Sequence, residues 1–352
     1  MKALVLAGGT GTRLRPFTHS IAKQLMPVAG RPVLLHCLEN IRRIGVEHVG
    51  IVVGDRADQI RSVVGDGSAL GLRVTYLHQD RPRGLAHCVT LAEDFLGGDD
   101  FVMYLGDNVL SDGIGEALRR FRERRPAAQL LLAKVADPRA YGVAEVEADG
   151  AVRALAEKPA VPASDLAVIG VYFFTSQIHR VTGTLRPSAR GELEISDAVQ
   201  ALVDAGLPVQ GHEYTGLWKD TGSPEDLLEC NRALLERVTP AVRGEVGADS
   251  SVRGPVVLEP GAVVTGSRIT GPVVIGAGSV VRDSAIGPYA TLGEGCLVES
   301  STVADSILLD HVSVRGVPGL RGSLIGRAAR VTGASHTRLV LGDDARVELV
   351  VT

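Results

Sequence analysis

A cluster of small residues near the start of the chain has the composition of a phosphate-binding loop. An apolar run ends at Gly8, and the sequence Gly-Gly-Thr-Gly-Thr-Arg follows up to Arg13. Small residues let backbone N–H groups approach phosphate oxygens closely, and Arg13 and Lys23 add positive charge. The dinucleotide fingerprint G-x-G-x-x-G is not met, because Leu14 stands where its last glycine belongs, and the Gly-Lys-Ser/Thr of a Walker loop is missing. The loop therefore predicts a phosphate compound bound in some other way.

Two acidic residues have the chemistry of a metal site. Asp107 follows the apolar run FVMYL in the sequence GDN, where ligands bind beyond the carboxyl ends of parallel strands. A nucleoside triphosphate carries Mg²⁺, which usually takes only one or two carboxylates from protein. Asp220, in WKDTGS, is the candidate partner, although an aspartate before Thr-Gly is by itself more often a turn residue. The pair predicts magnesium as the cofactor.

Short apolar segments alternate with helical ones in the first part of the chain and must position these residues. The predicted strands are 2–7, 48–53, 72–78 and 101–105, and the predicted helices are 32–44, 55–64 and 84–96. This alternation predicts an α/β domain with a Rossmann-like, mostly parallel sheet. A helix over about 224–238, with Ser223 as N-cap and Pro224 as its first residue, is expected to close this domain, which we place at residues 1–240.

An internal repeat marks the C-terminal part of the chain. Three series of apolar residues share a spacing of 17: Leu258, Ile275, Leu292 and Leu309; Val264, Val281 and Val298; Val252, Ile269, Ile286 and Val303. A coil with three short sides, each pointing one side chain inward, explains this period. The sequence therefore predicts a parallel β-helix over residues 247–352, with the register broken at 311–323 and resumed at Ile325, Val331, Leu341 and Val347.

Composition narrows the class of protein. The 352 residues carry a formal net charge of -4, which gives no electrostatic case for nucleic-acid binding. No apolar run reaches the roughly 18 residues of a membrane helix, and the N-terminal apolar stretch is too short for a signal peptide. The four cysteines match no metal spacing. We expect reduced thiols in a cytoplasmic protein of two domains, with no nucleic-acid or membrane partner.

Eight motifs resemble the sugar-nucleotide pyrophosphorylases, and specifically the long, two-domain glucose-1-phosphate thymidylyltransferases. The motifs stand in family order and near family spacing: LAGGTGTRLRPFT, AKQLMPV, QDRPRGLAHCV, YLGDN, YGVAEV, EKP, ARGELEISD and WKDTGS. The resemblance covers nearly the whole chain and implies that the β-helix is left-handed. It also implies transfer of a thymidylyl group from dTTP to D-glucose 1-phosphate, giving dTDP-glucose and pyrophosphate in deoxysugar biosynthesis. The KQL after Ala22 is similar to thymidylyl enzymes rather than adenylyl or uridylyl ones.

The resemblance also implies roles for individual residues. The catalytic residues are Arg13 and Lys23 on the phosphates, with Asp107 and Asp220 as ligands of Mg²⁺. The nucleotide-binding residues are Leu6, Gly8, Gly9, Gly11, Thr12, Gln24, Gln79 and Gly84, of which Gln79 and Gly84 read the thymine edge. The residues that bind the sugar phosphate are Tyr141, Gly142, Glu157, Lys158, Val168 and Arg190. Carboxylates suit sugar hydroxyls and cations suit phosphate.

Several alternatives stay open at this level. The same chemistry with UTP or with another sugar 1-phosphate fits the motifs, because a few contacts decide the choice of base and sugar. Some pyrophosphorylases carry a β-helix that is also an acetyltransferase using a histidine, and His311 and His336 are the candidates here. A sugar-nucleotide sensor without catalysis is the non-enzymatic alternative. Because a short solenoid exposes its apolar ends, we expect a homo-oligomer formed through the β-helix and catalytic domains.

Overall fold

The computed structural model describes residues 1–333 and 336–349. Contacts divide the chain into two compact units, and the division does not follow chain order. The first unit contains Met1–Gly9 and Leu34–Asp220, and the second contains Thr10–Val33 and the chain from Thr221 onward. A short N-terminal segment therefore groups with the C-terminal part of the chain.

The first unit holds most of the helices. Its strands are β1 (Lys2–Leu6), β4 (His48–Val53), β5 (Arg73–His78), β6 (Phe101–Leu105), β7 (Asn108–Leu110), β8 (Ala128–Lys134), β9 (Gly142–Val146), β10 (Val152–Glu157), β11 (Leu166–Phe174), β12 (Val209–Glu213) and β13 (Trp218–Asp220), with β2 (Pro27–Val28) and β3 (Arg31–Pro32) forming a hairpin in the second unit. The helices are α1 (Val33–Arg43), α2 (Ala57–Val64), α3 (Leu85–Leu91), α4 (Glu93–Leu96), α5 (Gly115–Arg124), α6 (His179–Thr182), α7 (Ile195–Asp204) and, in the second unit, α8 (Pro224–Leu235).

A mixed sheet forms the centre of the first unit. Its strand order is β10-β9-β11-β6-β1-β4-β5, and β8 pairs with β11 and β12. The strands β6, β1, β4 and β5 are parallel to one another, as the alternating pattern predicts. The strand β11 runs antiparallel to β6, β8 and β9, so the predicted parallel character holds for only half of the sheet. Apolar side chains of these strands and of α3 and α7 make one buried core.

The predicted helices agree with the structure except for one division. The segment predicted as a helix over 84–96 is two helices, α3 and α4, separated at Ala92. The helix α8 begins as predicted, because the Ser223 hydroxyl accepts a hydrogen bond of 3.1 Å from the Asp226 N–H and Pro224 takes the first position. The sequence signals for its start were therefore sufficient.

The second unit contains a three-sided parallel β-helix. Its strands form three ladders of parallel neighbours. The first ladder is β14 (Ala241–Val242), β17 (Val256–Leu258), β20 (Val273–Ile275), β23 (Ala290–Leu292), β26 (Ile307–Leu308), β29 (Leu324–Ile325) and β32 (Val340–Leu341). The second ladder is β15 (Glu245–Val246), β18 (Val263–Thr265), β21 (Val280–Arg282), β24 (Leu297–Glu299), β27 (Ser313–Arg315), β30 (Arg330–Gly333) and β33 (Arg346–Leu349). The third ladder is β16 (Ser251–Arg253), β19 (Arg268–Thr270), β22 (Ala285–Ile286), β25 (Thr302–Ala304), β28 (Gly319–Arg321) and β31 (His336–Thr337). The arrangement is consistent with the left-handed class.

The repeat period of 17 holds between most neighbouring coils and is 16 between others, including the last pair, where Ile325 pairs with Leu341. Leu258 pairs with Ile275 and Ile275 with Leu292, as the spacing of 17 predicts. The partner of Leu292 is Leu308 and not the predicted Leu309, because the side of the coil that ends at Leu308 is one residue shorter. Within the predicted break at 311–323 the register does shift, because Val298 pairs with Val314, 16 residues further on, but β27 and β28 stay paired with their neighbours and the β-helix is not interrupted. The coils absorb the missing residue at a corner.

Within the second unit, the segment Thr10–Val33 is attached to the β-helix at two places. The Ser20 hydroxyl donates to Asp343 Oδ2 at 2.5 Å. The buried amide of Asn231 on α8 accepts from the Ala29 N–H at 2.9 Å and from the Thr291 hydroxyl at 2.7 Å. Its own nitrogen donates to the Tyr289 carbonyl at 3.2 Å. One buried side chain thus joins the hairpin of β2 and β3 to the coils.

Two general predictions can be compared with this structure. All four cysteines are buried thiols. In the part of the chain that is described, no helix is both long and apolar enough to span a membrane.

Candidate active site

The carboxyl ends of the parallel strands bring together residues that are distant in sequence. Gly8 follows β1, Gln79 follows β5 and Asp107 follows β6. A Cβ atom at Gly8 would lie 3.6 Å from Gln79 Oε1. Leu6, the last residue of β1, is buried, and Gly9 is exposed. The first unit therefore places the predicted base-reading glutamine beside the start of the glycine loop.

The rest of the glycine loop belongs to the second unit and is shaped by one glycine. Gly11 has a φ of 65°, and a Cβ there would lie 2.9 Å from Lys23 Cβ and 3.0 Å from Thr18 Cγ2. The Thr18 hydroxyl donates to the Gly11 carbonyl at 2.8 Å. Only glycine suits this combination of a left-handed backbone and close neighbours. Gly11 thereby brings the predicted phosphate residue Lys23 against the loop.

Thr12 and Arg13 are exposed, whereas Gln24 is buried and its side-chain oxygen accepts no hydrogen bond from the described residues. Thr12 and Arg13 lie in an exposed 3-10 turn, Thr12–Leu14. Gln24 lies in the turn Lys23–Leu25 and is 2% exposed. Among the described residues, nothing donates a hydrogen bond to its Oε1 atom. Because a buried acceptor without a donor costs about 1–3 kcal/mol, Gln24 is a candidate for a contact that a ligand or water supplies.

The two predicted metal ligands lie at one pairing of short strands, Asp220 in β13 and Asp107 in the turn just before β7. The strand β13 pairs antiparallel with β7, and Asp220 stands opposite Asn108. The Asn108 amide donates to Asp107 Oδ1 at 2.9 Å and accepts from the Trp218 indole N–H at 2.6 Å. Two carboxylates therefore flank one buried amide at the carboxyl edge of the sheet. This donor set of hard oxygens fits Mg²⁺, and the described residues contain no group of three or more acidic, histidine or cysteine side chains suited to a metal.

The negative charge of Asp107 affects the pKa of a buried thiol in the core of the first unit. Cys37 on α1 is fully buried. Burial raises the pKa of its thiol, and the negative charge of Asp107 raises that pKa further. Cys37 is therefore a neutral thiol and an inert neighbour of the carboxylate edge.

The residue before α3 is fixed by sterics. Gly84 has a φ of 98°, and a Cβ there would lie 2.3 Å from the Leu193 carbonyl oxygen. The backbone of Leu193 bonds to both sides of it: its N–H donates to the Arg83 carbonyl at 2.8 Å, and its carbonyl accepts from Ala86 at 3.0 Å. No other amino acid fits this position without a shift of the backbone. The predicted base-reading Gly84 is therefore held against a second segment of the first unit.

The backbone of the predicted sugar site is one antiparallel corner. In the pairing of β9 with β10, Gly142 stands opposite Glu157, and a Cβ at Gly142 would lie 3.4 Å from Glu157 Oε2 and 3.7 Å from Val168 Cγ2. Lys158 has a φ of 44° and donates its backbone N–H to the Tyr141 carbonyl at 2.9 Å. Five predicted residues thus lie together.

Charged and hydroxyl groups converge on Glu157 within this corner. Its Oε2 atom accepts from the Ser196 hydroxyl at 2.8 Å, and its Oε1 atom lies 3.6 Å from Arg190 Nη2 and 3.7 Å from Lys158 Nζ. The shortest ion pair of Arg190 is with the buried Glu194, at 2.8 Å. Arg190 is thus close to the predicted sugar residues while Glu194 fixes its guanidinium.

Tyr141 connects the sugar corner to the carboxylate pair. Its ring meets the edge of Trp218 with the centroids 5.3 Å apart, and Trp218 donates to Asn108. A continuous set of contacts therefore runs from the sugar corner to Asn108, the residue that follows Asp107. Ser196 and Trp218 lie within the motifs, but no local pattern singles them out, because their partners Glu157 and Asn108 are far away in the chain.

Of the two histidines considered for acyl transfer, only His311 has a side chain that the structure describes. His311 stands at a coil corner with a φ of 62°, and its ring covers Gly295, where a Cβ would lie 2.5 Å from its Nδ1 atom. The side chain of His336 is outside the described part of the chain. The ring of His311 is thus accounted for by packing between coils.

Comparisons with known proteins identify the family of this chain. Residues 2–237 match the family model described as nucleotidyl transferase. The chain is 53% identical to a glucose-1-phosphate thymidylyltransferase of Streptomyces griseus and 51% identical to one of Streptomyces antibioticus, with 99% of each chain covered. A Bacillus anthracis protein, solved with sucrose as a candidate glucose-1-phosphate thymidylyltransferase, is 35% identical with a TM-score of 0.63 over 68% of this chain and 97% of that one. The chain therefore belongs to the nucleotidyl transferase family, in the group that its full-length thymidylyltransferase relatives represent.

Proposed function

We propose that this protein transfers a thymidylyl group from dTTP to D-glucose 1-phosphate, giving dTDP-glucose and pyrophosphate. The observation that carries the proposal is the set of contacts through Trp218, which joins the carboxylate pair to the corner around Glu157 within one compact unit. A phosphate-transfer edge and a polar corner suited to a sugar are the two parts that such a reaction needs. The names of the full-length relatives support the same substrates.

The reaction needs positioning more than activation. A phosphate oxygen of the sugar is already anionic near neutral pH and attacks the α-phosphorus in line, so no nucleophilic side chain takes part. Arg13 and Lys23 offset the charge that builds on the departing pyrophosphate. Asp107 and Asp220 hold Mg²⁺, which when bound neutralises charge on the triphosphate. The chain itself supplies orientation and a fixed electrostatic environment.

The remaining residues hold the two substrates. On the nucleotide side, backbone and side-chain groups of Leu6, Gly8, Gly9, Gly11, Thr12 and Gln24 contact the triphosphate and sugar of dTTP, and Gln79 and Gly84 read the base. On the other side, Tyr141, Gly142 and Val168 shape the hexose pocket, Glu157 accepts from sugar hydroxyls, and Lys158 and Arg190 contact the phosphate. The unused oxygen of Gln24 supports its part in this assignment.

A substrate panel tests the proposal directly. Purified protein is mixed with Mg²⁺, glucose 1-phosphate and one of dTTP, UTP, ATP, GTP or CTP, and pyrophosphate release is followed. We expect a strong preference for dTTP. Release with a different nucleotide would overturn the assignment of the base. If no nucleotide gives pyrophosphate release, either with glucose 1-phosphate or with a panel of other sugar 1-phosphates, the proposed activity is overturned.

The proposed metal ligands are tested by a single substitution. Asp107→Asn is expected to leave the fold intact and to lower turnover at least about a hundredfold, as the loss of a preorganised electrostatic contact does. Asp99→Asn is the matched control, because Asp99 pairs with Lys2 at 3.0 Å near the start of β1. Turnover near that of the unmodified protein at saturating Mg²⁺ would contradict the role of Asp107.

We also propose that the chain forms a homo-oligomer in which the ends of the β-helix take part. Val242 and Val246, in the first coil, are 56% and 38% exposed, and Val340, in the last coil, is 38% exposed. Solenoids must cover such ends. Light scattering of the unmodified chain and of a Val242→Lys, Val246→Lys variant tests this. A monomer in both cases would contradict it.

A further inference from the structure

The side chain of Gln79 lies between Gly8 and the helix α3. It is 7% exposed. Its Nε2 atom lies 2.9 Å from His87 Nδ1 and 3.3 Å from Cys88 Sγ, both on α3. Its Oε1 atom lies on the side of Gly8, 3.6 Å from where a Cβ of that glycine would stand. The two ends of the amide therefore face different surroundings.

The contacts with α3 use both hydrogens of the amide nitrogen. A primary amide has two N–H donors and one carbonyl acceptor. One hydrogen is directed to His87 Nδ1, which accepts only when the imidazole is neutral and carries its proton on Nε2. The other is directed to the sulfur of Cys88, a weak acceptor. Burial raises the pKa of this thiol to about 12, so Cys88 keeps its proton and does not titrate near neutral pH.

The orientation of the amide decides which base it can recognise. Thymine and uracil have an N–H donor between two carbonyl oxygens, whereas cytosine has a bare nitrogen acceptor at the same place. An amide oxygen pointing to the ligand accepts from the N–H of thymine and repels the nitrogen of cytosine. With the nitrogen held by α3, the oxygen of Gln79 is the group available to a base.

We propose that His87 is a positioning residue that fixes the amide of Gln79 with its oxygen toward the nucleotide, so that the site reads bases with an N–H at this edge. The inference rests on the proposed function, in which Gln79 reads the base. It adds a residue to that site and predicts that base recognition depends on the protonation of one histidine. Protonated His87 donates from Nδ1, and the amide must turn its oxygen toward α3 and its nitrogen toward the ligand.

The surroundings of His87 keep it neutral under ordinary conditions. Burial lowers its pKa, the positive charge of Arg83 lowers it further, and Asp80 opposes them. Arg83 and Asp80 form an ion pair of 2.8 Å. The helices α6 and α7 also pack against α3 and carry His179, Arg180 and Asp197, but in the described chain the charged groups that act on the pKa of His87 are Arg83 and Asp80.

Two substitutions at His87 separate the effect of its hydrogen bond to Gln79 from the effect of its protonation. His87→Leu removes the acceptor, whereas His87→Gln keeps an acceptor that does not titrate. We expect His87→Leu to raise the KM for dTTP about tenfold, the value of one hydrogen bond, and to lower the ratio of kcat/KM for dTTP over dCTP by a similar factor. His87→Gln should stay near the unmodified protein. His48→Leu and His48→Gln, at the start of β4, are the matched controls.

A pH series gives a measurement that a purely structural role would not change. The KM for dTTP is measured from about pH 8 to about pH 5, a range that brackets the ordinary histidine pKa of about 6.5. In the unmodified protein it should rise at the acid end more than in His87→Gln, and the comparison removes the titration of dTTP itself. The KM for glucose 1-phosphate should not differ between the two proteins. Identical pH profiles for dTTP would overturn the proposal.

Gln79→Ala distinguishes failure of this inference from failure of the proposed function. If Gln79→Ala keeps the preference for dTTP over dCTP, Gln79 does not read the base and the assignment in the proposed function is wrong. If Gln79→Ala loses that preference and a folded His87→Leu keeps it, only the role of His87 is wrong. Thermal unfolding of each variant shows which are folded.

Discussion

The nucleotide side and the sugar side of the first unit are formed by different kinds of residues and interactions. At the nucleotide side, Gly8 and Gly84 allow close approach of backbone segments, and Gln79 is a neutral amide held by α3. At the sugar side, Glu157 is surrounded by two cations and a hydroxyl. The first arrangement depends on backbone shape and on one proton, whereas the second depends on a network in which each group has a partner. The two sides should therefore respond to different perturbations.

Gly84→Ala should give the largest effect and act on the nucleotide side alone. The new Cβ would lie 2.3 Å from the Leu193 carbonyl oxygen at a φ of 98°. Backbone strain and overpacking of this kind cost about 3 kcal/mol together, which corresponds to about a hundredfold in rate. We expect kcat/KM for dTTP to fall by that factor and the KM for glucose 1-phosphate to change little.

Gly98→Ala is the control for this variant. A Cβ at Gly98 would meet nothing within 4 Å, and its φ is not in the left-handed region. It should leave both kinetic constants and the thermal midpoint unchanged. A Gly84→Ala enzyme with an unaltered KM for dTTP would show that backbone shape does not control the nucleotide side.

Ser196→Ala should give a smaller effect and act on the sugar side. Its hydroxyl donates to Glu157 at 2.8 Å, and a hydrogen bond to a charged group contributes about 1.5–3 kcal/mol. We expect the KM for glucose 1-phosphate to rise about tenfold while the KM for dTTP stays the same. Ser62→Ala, which removes an exposed hydroxyl bonded to the Gln59 carbonyl, is the control. Equal changes in both KM values would mean that the two sides are not separable.

The smallest effect concerns stability and should leave both sides alone. Both ring nitrogens of His179 are buried and have no partner among the described residues, and burial lowers its pKa despite the nearby Glu93. Because the unfolded chain then binds the proton more readily, stability falls as the pH drops below the unfolded pKa of about 6.5. We expect the thermal midpoint of His179→Phe to fall less between about pH 7 and about pH 5 than that of the unmodified protein. Equal falls would contradict this assignment.

Local patterns in the sequence predicted most elements of the fold. The strands and helices of the first half agree within a few residues, and the repeat of apolar residues gave the three-sided β-helix. The prediction failed where a coil lost one residue between Leu292 and Leu308, because a fixed period cannot anticipate a shortened corner. The apolar run VIGVYFF predicts the strand β11 but not its antiparallel direction, since an apolar run looks the same in either direction.

The motifs identified residues of the site but not their supports. Ser196, Trp218 and His87 lie inside quoted motifs, yet each acts through a residue elsewhere in the chain: Glu157, Asn108 and Gln79. Asn231 was likewise missed, because a buried asparagine on a helix gives no sign of the segment that it holds. Such contacts follow from tertiary packing and have no local signature.

The attachment of Thr10–Val33 to the coils limits how this protein can be recombined. A chimera that exchanged only the C-terminal coils with those of a relative would separate Ser20 from Asp343, and it would separate Thr291 from Asn231, the residue that holds Ala29. These contacts hold the segment that carries Gly11, Lys23 and Gln24, so the chimera would loosen that segment. A workable exchange would transfer residues 10–33 together with the chain from Thr221 onward, although Leu34–Asp220 separate the two segments in sequence. The modular boundary of this protein is therefore discontinuous, and gene fusions at a single crossover point would cut through it.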